Sequence, residues 1–494
     1  MPGRRRGSQP AWTVRGGGVA ATRTMNSETG QLRRGVVAAV AAYLVAYLVY
    51  AIAEQQALFA DGAAVLLRAV GAQSVSSLDK NRIIADALFQ WPVLVASGLG
   101  VTDLEALSYL LGVGYHYVVV VSLPIAWCLL PRERKALMLF PILSLLFGWM
   151  GSSFLAIHQA NALALWFWPV FFAVLFQPAE RGRDVVLLLV LALPMVGLYD
   201  TIVVLGPLLA AVAGWRWLRQ PAAPHRWVWV ALVLWFIVAA AIALGFILFP
   251  RSAGNRANFV WSLSSGAFLV GADGSSVNWP LALALLGAPL LVLAAWRPAW
   301  LSAARWAWLP PFLLFAVFVA FAPIVSPSTF SPVLQFYARA VAGFLPAGLA
   351  ILVLVGEARG WRPSEATRSS LLLVLSLIAV AQITWHFVAT AQWAGYLAIF
   401  RATLAERPGL VAFESTPMAQ PAIGNQVLLH LTWGWTNPWL SVALAPHGRV
   451  SAIIATPRGQ SAGTFDPTRA AGLPPLAGVD YSDYVAALPG AAAN

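Results

Sequence analysis

The sequence carries little charge of either sign, since only 10% of its 494 residues are Asp, Glu, Lys or Arg. A soluble protein usually has about 25% charged residues, so this chain lacks the ionic surface that keeps a globule in water. Its single cysteine, Cys128, excludes a disulfide within the chain. The motifs GxxxxGK[ST], HExxH, CxxC and GxSxG are absent too, which argues against the nucleotide-binding, metal-dependent and hydrolytic enzymes that they identify.

Apolar residues make up 60% of the chain and fall into long runs, which are typical of membrane-spanning helices. We therefore predict an all-α polytopic membrane protein with about eleven transmembrane helices. The predicted spans are 35–53, 106–130, 136–151, 160–176, 185–199, 201–217, 228–249, 280–296, 308–325, 339–355 and 369–389. The stretch 84–101 is apolar but contains Asp86 and Pro92, and it is interpreted as an amphipathic helix on the outer membrane surface.

The formal net charge of +12 would suggest a nucleic-acid partner if it covered one soluble face. Instead, most basic residues lie in the N-terminal tail and in short linkers between alternate spans. Basic loops stay in the cytoplasm, so the pattern predicts a cytoplasmic N-terminus, an extracytoplasmic C-terminus and no nucleic-acid partner. Most acidic residues then fall on the outer face.

Three regions follow from this topology. Residues 1–34 are an Arg-rich cytoplasmic tail without a core pattern, in which Met25 is an alternative start. Residues 35–389 form the transmembrane helical domain, with long outer loops at 54–105 and 250–279. Residues 390–494 are predicted to form a small extracytoplasmic domain with a β-prone segment at 450–456.

Carboxylates and arginines just beyond the ends of spans are the first candidates for chemistry. Glu54 and Asp61 follow the first span, where a carboxylate can act as a general base, bind a metal or simply cap a helix. Guanidinium groups hold phosphate by bidentate hydrogen bonds. The candidates for that role are Arg82, Arg251, Arg256 and Arg339, of which Arg82 also fits a solvated turn and Arg339 an interfacial anchor.

Further polar residues lie inside or at the predicted outer ends of spans. They are His116, His158, Asp103 and Asp200. A polar side chain at such a depth normally faces the bundle interior or a cavity, although His116 also fits a structural histidine and Asp200 a turn residue.

The arrangement of a cytoplasmic N-terminus, about eleven spans, an acidic residue early in a long first outer loop and a C-terminal outer domain resembles the GT-C superfamily of membrane glycosyltransferases. The resemblance implies a bacterial plasma-membrane enzyme that moves a sugar from a polyprenyl-phosphate donor to an envelope glycan, lipid or protein. It places the family's acidic residue, which would act as the general base, at Asp61 or at Glu54, and a second carboxylate at Asp103 or Asp200. A clear DxD or ExD pair is missing from the first loop, so the need for a divalent cation stays open.

The stretches LFADGAAVLL (58–67) and NRIIADALFQWP (81–92) also look like bacterial membrane proteins without an assigned substrate. Two other functions fit the same pattern. One is a transporter or flippase for a lipid-linked or amphipathic substrate, and the other is a non-catalytic assembly subunit of the cell envelope.

Overall fold

The structure is a computed structural model. It describes residues 35–36, 38–59, 61–77, 82–151, 159–221, 223–249, 346–351, 353–355, 365–419, 436–455 and 479–487. The fold is mostly helical (81%), so the all-α class is confirmed.

The helices within these ranges are numbered in chain order. They are α1 (Ala38–Ala53), α2 (Gly62–Ala72), α3 (Ile83–Gly98), α4 (Leu104–Leu129), α5 (Leu139–Gly151), α6 (Gln159–Phe176), α7 (Gly182–Ala192), α8 (Ile202–Arg219), α9 (Trp227–Leu248), α10 (Pro346–Val355), α11 (Glu365–Glu406), α12 (Asn437–Ala443) and α13 (Ser482–Ala486). The described residues also contain two short strands, β1 (Gly409–Ala412) and β2 (Ala452–Ala455).

Four helices among the described residues are long and apolar enough to cross a membrane, which indicates a membrane protein. These are α4, α8, α9 and the part of α11 from Leu372 to Glu406. The expected count of about eleven spans is not confirmed. The predicted spans 280–296 and 308–325 lie outside the described residues, and α1 and α10 are apolar helices below the length of a full span.

Two of the expected spans are divided into shorter pieces. The predicted span 185–199 becomes α7 followed by a 3-10 turn at Leu193–Gly197, because Pro194 cannot donate the next helical hydrogen bond. The predicted span 136–151 begins with a 3-10 segment at Arg132–Met138 before α5 starts.

Helix α11 is much longer than the predicted span 369–389. Its 42 residues correspond to about 63 Å, about twice the 30 Å of a bilayer's hydrocarbon core. The extra turns carry Arg401 to the part of the fold that contains β1 and β2.

The core of the bundle is aromatic and is centred on α4 and α6. Trp168 on α6 is fully buried, stacks on Phe140 with ring centroids 5.9 Å apart, and donates its indole N–H to the Ser144 hydroxyl at 2.8 Å. Helices α3 and α4 approach so closely at Gly114 that a Cβ there would lie 1.8 Å from the Phe89 carbonyl oxygen. Only glycine permits this contact, which sets α3 directly against the first half of α4.

The C-terminal part of the chain folds back onto the first loop. Strands β1 and β2 pair in parallel, with Gly409 opposite Ala452, and the strand at 452–455 lies within the β-prone segment. Helix α12 packs against both β2 and α2. These contacts place a buried tryptophan, Trp439 of α12, on the helix that follows Asp61.

Candidate functional site: a charged cluster at the end of the helix bundle

Asp61 stands at the start of α2, directly after a tight turn that ends the first apolar helix. It occupies the N-cap position with φ −69° and ψ −14°, but its side chain makes no capping hydrogen bond. The carboxylate is partly buried. The side chain of Asp61 therefore does not cap α2. Its carboxylate instead acts on charged and aromatic groups nearby.

Arg68 is the first of these groups, and it lies seven residues further along the same helix. It is partly buried, and its guanidinium carbon stands 5.0 Å above the centre of the Trp439 ring, a cation–π contact. Burial lowers the pKa of Arg68, and the negative charge of Asp61 opposes that shift. Asp61 and Arg68 therefore interact electrostatically in a partly dehydrated setting.

Asp86, on α3, is the second buried carboxylate of this region. Its side chain is only 4% exposed and accepts a hydrogen bond from the Ser77 hydroxyl at 2.7 Å. Tyr115 of α4 is stacked on Phe89, with ring centroids 4.8 Å apart, and lies within electrostatic range of both Asp86 and Asp61. Two carboxylates that are 25 residues apart in sequence therefore act on the same phenol.

Arg82, one helical turn before Asp86 at the start of α3, forms an ion pair with Asp200. The guanidinium nitrogen of Arg82 lies 3.5 Å from a carboxylate oxygen of Asp200, and its carbon stands 4.8 Å above the Tyr199 ring. Both side chains retain a fifth to a quarter of their exposure, so a diffusing ligand can reach them. The fold therefore brings together two residues that the sequence identified separately.

We call Asp61, Arg68, Arg82, Asp86 and Asp200 the rim cluster. It contains three carboxylates and two guanidinium groups, so its formal charge is −1 when all are ionised. Tyr115, Tyr199 and Trp439 supply aromatic surface beside the charges. Such a set can accept a proton from a hydroxyl at a carboxylate and hold an anionic group at a guanidinium.

A hydrogen-bonded turn at Gln55 fixes the approach to Asp61. Gln55 has a positive φ of 50° and is 4% exposed. Its amide nitrogen donates to the Ser108 hydroxyl at 2.8 Å, its amide oxygen accepts from Arg401, and its carbonyl accepts from the Trp393 indole at 3.4 Å. Contacts from α4 and α11 therefore hold the turn from which α2 starts.

The other predicted site residues have different surroundings. Glu54 is partly buried one residue before Gln55 and is placed near Tyr50 and Tyr109 rather than in the rim cluster. Asp103 is exposed and caps α4, because its carboxylate accepts from the Glu105 backbone N–H at 3.1 Å.

His116 is 3% exposed within α4 and belongs to a separate polar group in the bundle interior. Four predicted site residues lie outside the described residues: His158, Arg251, Arg256 and Arg339.

Sequence reasoning missed Arg68, Tyr115 and Trp439 and used Asp86 only as evidence of amphipathicity. Arg68 did give a signal, since it is the single charged residue in the apolar stretch of α2. Asp86 gave a similar one in α3. Burial of a lone charge in an apolar helix usually requires a partner, and that partner comes from a distant part of the chain.

Within the described residues, no group of three or more His, Cys, Asp or Glu side chains is arranged to hold a metal ion. Comparison of the chain with protein-family models, curated proteins and solved structures found no match.

Proposed function

We propose that this protein is a membrane glycosyltransferase of the GT-C type, which transfers a sugar from a polyprenyl-phosphate donor to an acceptor hydroxyl on the predicted outer face. The observation that carries the proposal is the partly buried Asp61 beside Arg68, on a helix that starts from a rigidly held turn. A general base and a cation for a phosphate are the two groups that this reaction requires from the protein.

The proposed reaction is a displacement at the anomeric carbon. The acceptor oxygen forms a bond to that carbon while its proton moves to the Asp61 carboxylate. The bond from the anomeric carbon to the phosphate oxygen breaks, and the polyprenyl phosphate leaves with the electron pair. In this proposal Arg68 stabilises the charge that develops on the phosphate, and Arg82 is the second guanidinium of the cluster.

The remaining features of the rim cluster support binding of a lipid-linked sugar. The buried rings of Tyr199 and Trp439 pack against the guanidinium groups of Arg82 and Arg68 and so help to hold these two cations in place for a phosphate. The apolar helix α3 flanks the cluster with exposed Ile83, Trp91 and Val95, which provide surface for an isoprenoid chain. Arg251, Arg256 and Arg339 stay candidates for further phosphate contacts.

The test is sugar transfer in proteoliposomes that contain the purified full-length chain. The donors are radiolabelled polyprenyl-phosphate hexoses and pentoses, and the readout is label in a product that resists mild acid. We expect Asp61→Asn to fold like the parent protein and to abolish transfer. Asp103→Asn is the matched control, since it removes a carboxylate of the same predicted outer segment that only caps a helix.

Unchanged transfer by Asp61→Asn would refute the assigned base. Failure of the parent protein with every donor would favour the second candidate, a transporter or flippase for an amphipathic substrate. One observation supports that candidate: His116 and His386 lie fully inside the bundle and within electrostatic range of each other. A transporter needs such polar groups at depth, whereas a glycosyltransferase does not.

A further inference from the structure

A second group of polar side chains is buried inside the bundle and shares no residue with the rim cluster. It consists of Tyr47 from α1, Gln56 from the turn after α1, His116 from α4, and Gln382 and His386 from α11. Each of these side chains is at most 4% exposed. We call this group the interior polar cluster, and it is formed where three helices meet.

Tyr47 connects two members of the interior polar cluster, and the others lie close by. The rings of Tyr47 and His386 have centroids 5.6 Å apart, and the Tyr47 hydroxyl donates to the amide oxygen of Gln56 at 3.5 Å. The imidazoles of His116 and His386 lie within electrostatic range of each other. Gln382 precedes His386 by one helical turn, so the two share a face of α11.

Three atoms of this cluster have no hydrogen-bond partner among the described residues. They are the amide nitrogen of Gln56, the amide oxygen of Gln382 and Nδ1 of His116. A buried polar atom that has lost its hydration is costly unless another group replaces the water, and native interiors commonly use ordered water for this. The three atoms are a donor, an acceptor and an imidazole nitrogen that can serve as either. Water can bond to all three, because it both donates and accepts hydrogen bonds.

We propose that the interior polar cluster is a hydrated binding site, in which ordered water molecules join Gln56, His116 and Gln382 across the three helices. The site uses other residues than the rim cluster and does not depend on the reaction proposed above.

Cysteine accessibility in the full-length protein in lipid nanodiscs tests this. The native Cys128, which is exposed, is first replaced by serine. His116→Cys and Gln382→Cys are then reacted with a small, water-soluble methanethiosulfonate. The matched controls are Val118→Cys and Ile383→Cys, which sit on the same two helices at buried apolar positions.

A thiol reacts as its thiolate, and apolar burial raises the thiol pKa, so a thiol whose pKa is higher by one reacts about tenfold more slowly. We expect the two cluster positions to react at least about tenfold faster than the two controls. Equal rates at all four positions would overturn the proposal. Variants are compared only if they elute as a single species.

Radiolytic footprinting of the unmodified protein provides a measurement that needs no substitution. Hydroxyl radicals form from bound water, so His116 and His386 should be oxidised with uptake of ¹⁸O from labelled solvent. Trp168 is the control, because its indole is fully buried and bonded to Ser144. Oxidation of the two histidines at or below the rate of Trp168 would also overturn the proposal.

Discussion

Replacing Gly62 with alanine should disturb the start of α2 and displace Asp61. A Cβ at Gly62 would lie 1.6 Å from the carbonyl oxygen of Ala57 and 2.7 Å from its carbonyl carbon. Restoring van der Waals contact therefore requires a shift of about 1.5–2 Å between two backbone segments. A displacement of that size exceeds the tolerance of a hydrogen-bonded site.

The turn has little freedom to make this shift. The Gly62 N–H donates to the Phe59 carbonyl at 3.0 Å, and the Leu58 N–H donates to the Gln55 carbonyl at 3.0 Å. Gln55 is in turn held by Ser108 of α4. Overpacking usually costs about 1–3 kcal/mol, and a clash with a fixed backbone carbonyl should fall at the upper end of that range.

The assay is equilibrium unfolding of the purified protein in detergent, followed by tryptophan fluorescence. Gly245→Ala is the control, because a Cβ at Gly245 meets nothing within 4 Å and alanine is the better helix former by about 0.5–1 kcal/mol. We expect Gly62→Ala to be destabilised and Gly245→Ala to be neutral or slightly stabilised. Equal stability of the two variants would refute the packing argument.

Three further outcomes are expected. Arg68→Ala should lower the hydrogen-exchange protection of α12 by about 1 kcal/mol, because the contact with Trp439 is lost. Arg68→Lys should restore only part of that protection, because an ammonium group lacks the planar face of a guanidinium. Unchanged protection in Arg68→Ala would contradict the contact. Gln55→Ala should destabilise the protein by about 1–3 kcal/mol through loss of the side-chain hydrogen bonds. Gln55→Gly should destabilise it less, because glycine tolerates the positive φ at this position. The reverse order of stabilities in unfolding experiments would contradict this explanation. Hydrogen bonds from Ser482 lower the pKa of Asp480, so its stabilising effect is present at neutral pH and is lost as the pH falls below about 4 through the lowered pKa. The protection factors of the β2 amides, which remove the pH dependence of the intrinsic exchange rate, should fall over that range, and Asp480→Asn should flatten the response.

The rim cluster was only partly predictable from the sequence. Asp61, Arg82 and Asp200 stood out because they are charged groups next to the ends of apolar runs. Arg68 and Asp86 did not stand out, since each lies within an apolar helix and its polar contacts come from residues in other elements. Asp103 has the same residue type and a similar position in the sequence, yet its carboxylate caps α4.

The fold was predictable where composition alone decides. Scarce charge and long apolar runs predict a helical membrane protein, because only helices satisfy every backbone polar group within one apolar segment. Helix ends were less predictable: Pro194 ends a helical segment early, while α11 continues to Glu406 because nothing in its sequence stops it and the C-terminal segment packs against its end.

The sequence by itself therefore determined the class of protein and a short list of charged residues, since both depend on the hydration free energies of the side chains. Tertiary structure alone decided which of those charges meet. Three contacts bring the charged groups and their aromatic neighbours together: the close approach at Gly114, the turn at Gln55 and the docking of Trp439 on Arg68. Contacts between residues so far apart in the chain leave no local pattern, because each is stabilised by packing that only the complete fold provides.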